Sequence, residues 1–327
     1  MTSAAATPEF KRGPQPDFDK FAPSRSYNQV RKYKDLAMRI LIYIAFLIAL
    51  IPLVSVLWTC LADGYKRLTP YFLSHNMVGV IGGMYPYGGI LHAIIGTVEI
   101  TLGAMVISIP IGLMCAVYLV EYAQRGGKLA QSISLLVDVM SGIPSIVAGL
   151  FAYSMFTIFF GPGTINGFEG SVALSLLMIP TVVKTSEEML KIVPHDLREA
   201  SYALGVTKQR TITKIVLRTA LPGIVSGVIL AIARVIGETA PLLMTAGFIS
   251  STNVNLFSGQ MTTLPVFVYQ EYSKLSVTCP ASADASCVPT IPMERAWAAA
   301  LVLIIIVLLL NLLGRWVAKV FAVKTEQ

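Results

Sequence analysis

Three groups of polar residues lie inside otherwise apolar runs, and each could do chemistry. In ILAIARVIGETAPLLMTAG, Arg234 and Glu238 stand four residues apart, one turn along the same face of a helix. A guanidinium can grip a tetrahedral oxyanion through two parallel N–H bonds. A carboxylate beside it can orient that fork and offset the cost of a charge in an apolar medium. The same pair also reads as a self-neutralising packing element, and both readings stand here. The second group is Ser141-Gly142-Ile143-Pro144-Ser145, preceded by Asp138. Pro144 lacks an N–H and bends a helix, while Gly142 admits close backbone approach. Such a break can aim N–H groups and the Ser141 and Ser145 hydroxyls at an anion; a simple packing kink accounts for the same residues. Glu99 is the third candidate, either lining a pathway or sitting as a satisfied buried acid.

None of these makes an enzyme. The chain has no G-x-S-x-G and no H-E-x-x-H, and His75, His92 and His195 are too far apart in sequence to suggest a metal site. Gly126-Gly127-Lys128 lacks the upstream glycine of a phosphate-binding loop, and Leu129 stands where Ser or Thr is needed. No catalytic residue, metal or cofactor is therefore expected on this chain. Any ATP hydrolysis, with its Mg²⁺, belongs on another one.

The elements that must position these residues are membrane spans. Of 327 residues, 55% are hydrophobic and 13% charged, with a mean hydropathy of +0.69. That is too apolar for a soluble domain and fits a polytopic membrane protein. Residues 1–35 are polar, rich in Pro and Ser, and carry Lys11, Arg12, Lys20, Arg25, Arg31, Lys32 and Lys34; they read as a disordered tail. They are no signal peptide: the following run, 36–62, is too long for one and no A-x-A site follows. That run is the first span. Five more are expected within 90–320, at Ile90–Tyr122, Ser132–Phe160, Ser171–Leu190, Leu221–Phe248 and Ala296–Val320. Pro110, Pro144 and Pro180 are expected to interrupt the second, third and fourth, as is tolerated where freed backbone faces protein or water.

The net charge of +7 marks topology, not nucleic-acid binding, because the basic residues flank the spans. The tail, Arg125/Lys128, the 191–218 loop and Arg315/Lys319/Lys324 fall on one side, and only Lys66, Arg67, Lys274 and Arg295 on the other. The expected fold class is an all-α integral membrane protein with six transmembrane helices and both termini cytoplasmic. Cys279 and Cys287 then lie in a long external loop, where they could bridge in an oxidising space.

The most polar run between spans is 194–222, PHDLREASYALGVTKQRTITKIVLRTALP. It reads as helix, glycine, helix: Asp196 as N-cap with Glu199 as its capping-box partner, Gly205 as the stop, Thr207 as the next cap and Pro222 as a break. Leu197, Ala200, Ser201 and Leu204 recur at helical spacing, giving a small apolar face. A helix of about eight residues is marginal alone in water, so it needs a surface to lie against. The spacing Glu199-Ala200-Ser201, three residues, Gly205, nine residues, Ile215-x-Leu217 resembles the EAA loop of ABC importer permeases. Ser201 replaces the second Ala and Arg218 the final Pro.

With AIARVIGETAPLL and GIPSIVAGLF, the chain from about Ile90 onward is similar to the permease subunits of bacterial phosphate ABC importers. The resemblance implies a type I importer permease fold over residues 90–320 in the bacterial plasma membrane. It implies a PstC-like second permease, a PstB-like ATPase dimer docked on the EAA loop through Glu199, Ala200, Ser201, Gly205, Ile215 and Leu217, and a PstS-like phosphate-binding protein outside. It places Arg234 and Glu238 in the phosphate pathway and implies alternating access. Gly223 and Gly227 form a G-x-x-x-G for close helix packing, with the second permease as one candidate partner. A permease for another oxyanion or small solute, and an ion-gradient-driven carrier or channel, remain the alternatives; the EAA spacing argues against the carrier, which needs no ATPase dock.

Overall fold

A computed structural model describes residues 25–123, 127–274, 276–277, 279 and 287–321. The remainder of the tail, Arg125 and Lys324 lie outside the described residues. The chain divides into two units, Met1–Trp58 and Thr59–Gln327. The first contributes most of α1 (Arg25–Gly64), a 40-residue helix containing Pro52. The helix begins well before the apolar run, so residues 25–35 are helical, not a disordered part of the tail. YNQVRKYKD has no Gly or Pro to stop the helical turn from propagating upstream.

The second unit is a bundle. Its long helices are α3 (Leu91–Val117), α6 (Gly167–Ile192), α9 (Leu217–Val235) and α12 (Ile291–Phe321). Short α2 (Pro70–Ser74) precedes α3; α4 (Lys128–Ser141) and α5 (Ser145–Phe160) follow it; α7 (His195–Ala203) and α8 (Lys208–Thr211) fill the loop before α9; α10 (Ala240–Thr245) and α11 (Leu264–Ser273) follow α9. Among the described residues, five helices are long and apolar enough to cross a membrane, with a sixth crossing if α4 and α5 count as one broken span. The helix starts follow local chemistry. The Asn166 side chain accepts from the Glu169 N–H at 2.9 Å to open α6, and Thr69 accepts from the Phe72 N–H to open α2.

Only one of the three prolines expected to interrupt a span does so. At Pro144 the chain turns by 108° between α4 and α5. Pro110 and Pro180 sit inside unbroken helices, as does Pro222. Interior prolines are tolerated when the rest of the helix is held by packing. Conversely, the fifth span, expected to run unbroken to Phe248, stops at Val235 and restarts at Ala240. Gly237 lies in that gap and Pro241 just beyond it: a glycine lowers helical preference and a proline disfavours helix in the residue before it.

Helices α3 and α6 run side by side in the same direction. The Ser171 hydroxyl donates to the Ile100 carbonyl at 3.0 Å, Gly103 lies against Ser171 and Gly112 against Val182. Helix α9 runs antiparallel to α6, with Gly223 on Met189 and Gly227 on Thr185. The G-x-x-x-G is thus used inside the chain, not on a second permease; a Cβ at Gly227 would come within 2.6–2.7 Å of the Thr185 side chain. The central core comprises Ile100, Leu174, Met178, Val182, Ala231, Val235 and Leu242. A second cluster, Ala116, Leu190, Val193, Val216, Ala220 and Ile224, closes the end that carries α7.

Candidate functional site

The loop after α6 is built from its inward residues. Helix α7 opens at Pro194 with no side-chain cap; Asp196 lies in its first turn, so it is not the N-cap expected from sequence. The helix starts two residues earlier because Pro194 cannot donate an N–H and is suited to a helix start. At the other end Gly205 takes φ +75°. Its N–H donates to the Tyr202 carbonyl at 2.9 Å, and the Val206 N–H to the Ser201 carbonyl at 3.2 Å. This is a Schellman motif, which needs a left-handed residue at that place. Thr207 precedes α8 but makes no side-chain cap.

Within α7 only Arg198 and Ser201 are buried. Arg198 gives Nε and Nη2 to Glu121 Oε1 at 3.0 and 2.8 Å. It gives Nη1 to the Val193 carbonyl at 2.6 Å and Nη2 to the Leu190 carbonyl at 3.0 Å. It thereby satisfies carbonyls at the end of α6 that have no helical partner. The hydroxyls of Ser201 and Thr211 are 2.8 Å apart, joining α7 to α8. Glu199 and Ala200 are exposed, and so are the apolar side chains of Leu197, Tyr202 and Leu204, the last at 84%. Ile215 lies in a π-turn, Ile212–Val216; Leu217, at the start of α9, packs against the end cluster. The loop has one side locked into the bundle and one apolar side uncovered within this chain.

The mid-span residues differ. Arg234 is exposed in the last turn of α9. The helix has ended before Glu238, so the two do not share a face, and no ion pair or side-chain hydrogen bond joins them among the described residues. The self-neutralising pair read from i,i+4 spacing is not formed, because that spacing needs a continuous helix. Ser226, Leu230 and Arg234 form an exposed stripe on α9, opposite buried Ile224, Gly227 and Ala231.

At the α4–α5 break, Ser141, Gly142 and Pro144 are exposed and Ser145 is half-buried. The Ser141 hydroxyl donates back to the Asp138 carbonyl at 2.7 Å. The break also holds a residue that spacing did not single out: Lys184 of α6 reaches Asp138 at 2.8 Å and donates to Ser141 Oγ at 3.3 Å. The signal was present, since a lysine within an apolar span is a functional candidate by default. Glu99 is half-buried on α3, with Oε2 buried and unpartnered. Cys279 and Cys287 form a disulfide. No group of His, Cys, Asp and Glu suited to a metal occurs among the described residues.

The family described as "Binding-protein-dependent transport system inner membrane component" matches residues 108–327. A "Phosphate transport system permease protein PstA 1" of Mycobacterium tuberculosis is 43% identical over 283 residues, covering 86% of this chain and 88% of that one. A PstA of Pasteurella multocida is 36% identical over 293 residues, covering 89% and 97%. Among solved structures, a bacterial alginate ABC transporter in complex with an alginate-bound periplasmic protein superposes with a TM-score of 0.61 at 12% identity, over 93% of this chain and 100% of that chain; at that identity it speaks to fold alone.

Fold and loop together define a membrane-spanning permease of the type I ABC importer class, a multi-pass membrane protein that is not itself catalytic. More narrowly, the chain belongs to the PstA family and is a permease subunit of a phosphate ABC importer.

Proposed function

We propose that phosphate crosses along the exposed stripe of α9, with Arg234 as its mid-membrane contact. The observation that carries this is an exposed arginine, in an apolar span, that pairs with no side chain among the described residues. Facing lipid, such a charge costs roughly 2.5–3.5 kcal/mol on insertion scales; facing a polar lumen shared with a PstC-like second permease, it costs far less. Its planar fork presents two parallel donors to a phosphate oxyanion. Lys184 is the next cation. It adjoins Thr185, which packs on Gly227, so it lies about 10 Å along the bundle axis from Arg234 at 1.5 Å per residue. Ser141 and Asp138 hold it at the broken span, where phosphate can pass from Arg234 to Lys184. Glu238, half-buried in the α9–α10 gap, lines the same route, and Glu99 borders it from α3.

The uncovered side of α7 docks a PstB-like ATPase dimer that binds ATP and Mg²⁺, and a PstS-like protein delivers phosphate to the opposite face. With α7 cytoplasmic, both termini are cytoplasmic and the Cys279–Cys287 loop is external. Closure of the ATPase pair, carried through the α7 loops, rocks the spans around the mid-membrane site.

Uptake into proteoliposomes holding the assembled importer tests the pathway. Arg234→Gln is expected to abolish phosphate uptake. Arg234→Lys should lower it about 10- to 150-fold, the equivalent of a lost charge-assisted bond of roughly 1.5–3 kcal/mol. Undiminished uptake by Arg234→Gln would remove Arg234 from the pathway. Orientation is checked separately: after reduction, a membrane-impermeant thiol reagent added to intact cells should label Cys279 and Cys287.

A further inference from the structure

The last turn of α3 is not α-helical. Residues Tyr118–Tyr122 form a π-turn, a feature often found at functional positions. Two basic side chains from the 194–222 loop land on it. Arg198 of α7 makes its double bond to Glu121 Oε1, and Lys208 of α8 lies 4.7 Å above the Tyr122 ring. Glu121 and Arg198 are separated by 77 positions in the chain, and their side chains are only 5% and 10% exposed. A buried ion pair is seldom the most stable way to fill such a space, since apolar residues of similar volume do as well or better. Its directional bonds instead fix the orientation of α7 against the end of α3.

We infer that this π-turn is the seat of the coupling helix, and that Glu121 and Arg198 are positioning residues that carry movement of α7 into the α3–α6 pair. The inference rests on the reading that an ATPase docks on α7. The connections are continuous. Arg198 holds α7 to α3 through Glu121 and to α6 through the Leu190 and Val193 carbonyls. Helices α3 and α6 are themselves locked by Ser171 on Ile100 and by Gly112 on Val182. A push on α7 therefore moves both helices together, and α6 carries Lys184. Ser201 and Thr211 make a separate tether from α7 to α8, which leads into α9 and Arg234.

The test uses the complete importer in proteoliposomes with its phosphate-binding protein, comparing ATP hydrolysed with phosphate imported. Glu121→Gln keeps the shape of the side chain and removes its charge. It is expected to leave the ATPase subunit co-purifying and unstimulated hydrolysis unchanged. Phosphate imported per ATP should fall by about tenfold, within the roughly 5- to 150-fold range usual for coupling between sites. Should Glu121→Gln fail to assemble, Lys208→Gln serves, because Lys208 is exposed; it removes only the contact with Tyr122 and should lower the ratio about two- to fivefold, as for a contact worth roughly 0.5–1 kcal/mol. A wild-type ratio in whichever variant assembles would overturn the seat while leaving ATPase docking intact. Failure of the ATPase to co-purify even with the wild-type chain would instead sink the docking reading, and the seat with it.

Discussion

Two arginines of the functional region, Arg198 and Arg234, make opposite uses of the same side chain. Arg198 is buried, and every part of its fork is engaged, by Glu121 and by carbonyls at the end of α6. Arg234 is exposed and has no side-chain partner among the described residues. The loop end of the molecule is complete on its inner side, whereas Lys184 is met at mid-span by Asp138 and Ser141 and Arg234 is left open to a partner from outside. A rigid handle and an unfinished wall are what a subunit needs if it receives motion at one place and contacts a transient ligand at another.

The largest effects are expected when the same change is made at both arginines. Arg198→Gln leaves Glu121 buried without its partner, a class of change that costs about 3–5 kcal/mol. It should lower both the thermal midpoint in detergent and the amount of protein in the membrane. Arg234→Gln removes an exposed side chain that is bonded to none of the described side chains, so it should leave the thermal midpoint unaltered while uptake is lost. A large loss of stability at Arg234, or none at Arg198, would reverse the assignment of handle and wall.

A smaller effect is expected at the turn that ends α7. A Cβ added at Gly205 meets nothing within 4 Å, so substitution there tests backbone conformation alone. At φ +75°, Gly205→Val should cost roughly 1–3 kcal/mol of local strain and weaken ATPase co-purification. Gly205→Asn, which tolerates the left-handed region, should retain most of it. Equal behaviour of Val and Asn would show that the turn does not set the pose of α7.

How much of this was legible in the sequence depends on the range of the interaction. The spans, the α7–glycine–α8 turn and the solitary charges follow from rules that act within a few residues, and they can be read from the chain. The partnership of Arg198 with Glu121 cannot: it spans 77 positions and depends on α3 and α6 running in parallel. Lys184 with Asp138 is hidden for the same reason, although the lysine itself stood in plain view. The pairing of Arg234 with Glu238 failed on a local matter. Spacing of four implies one face only while the helix continues, and Gly237, followed by Pro241, ends it. Composition showed an apolar run and not its break, because a short gap of Ile, Gly, Glu and Thr barely alters average hydropathy.

The smallest effect concerns the second tether, and its sign pattern can be worked out. Ser201 stands where the EAA pattern has alanine, so Ser201→Ala restores the pattern while removing the bond to Thr211. Thr211 is not orphaned by this change, since its hydroxyl also donates to the Thr207 carbonyl at 3.3 Å. Only an accepted bond is lost, and the cost should be about 0.5 kcal/mol, the low end for a hydrogen bond. Thr211→Val is the harsher change. It keeps the shape of the side chain but leaves the buried Ser201 hydroxyl facing a methyl group, and an unsatisfied buried group costs about 1–3 kcal/mol. The double variant removes both polar groups and should be more stable than Thr211→Val alone. Thermal unfolding of the three variants in detergent decides it. If Ser201→Ala is the most damaging of them, the hydroxyl serves something beyond Thr211, and the uncovered side of α7 is where that partner would have to be sought.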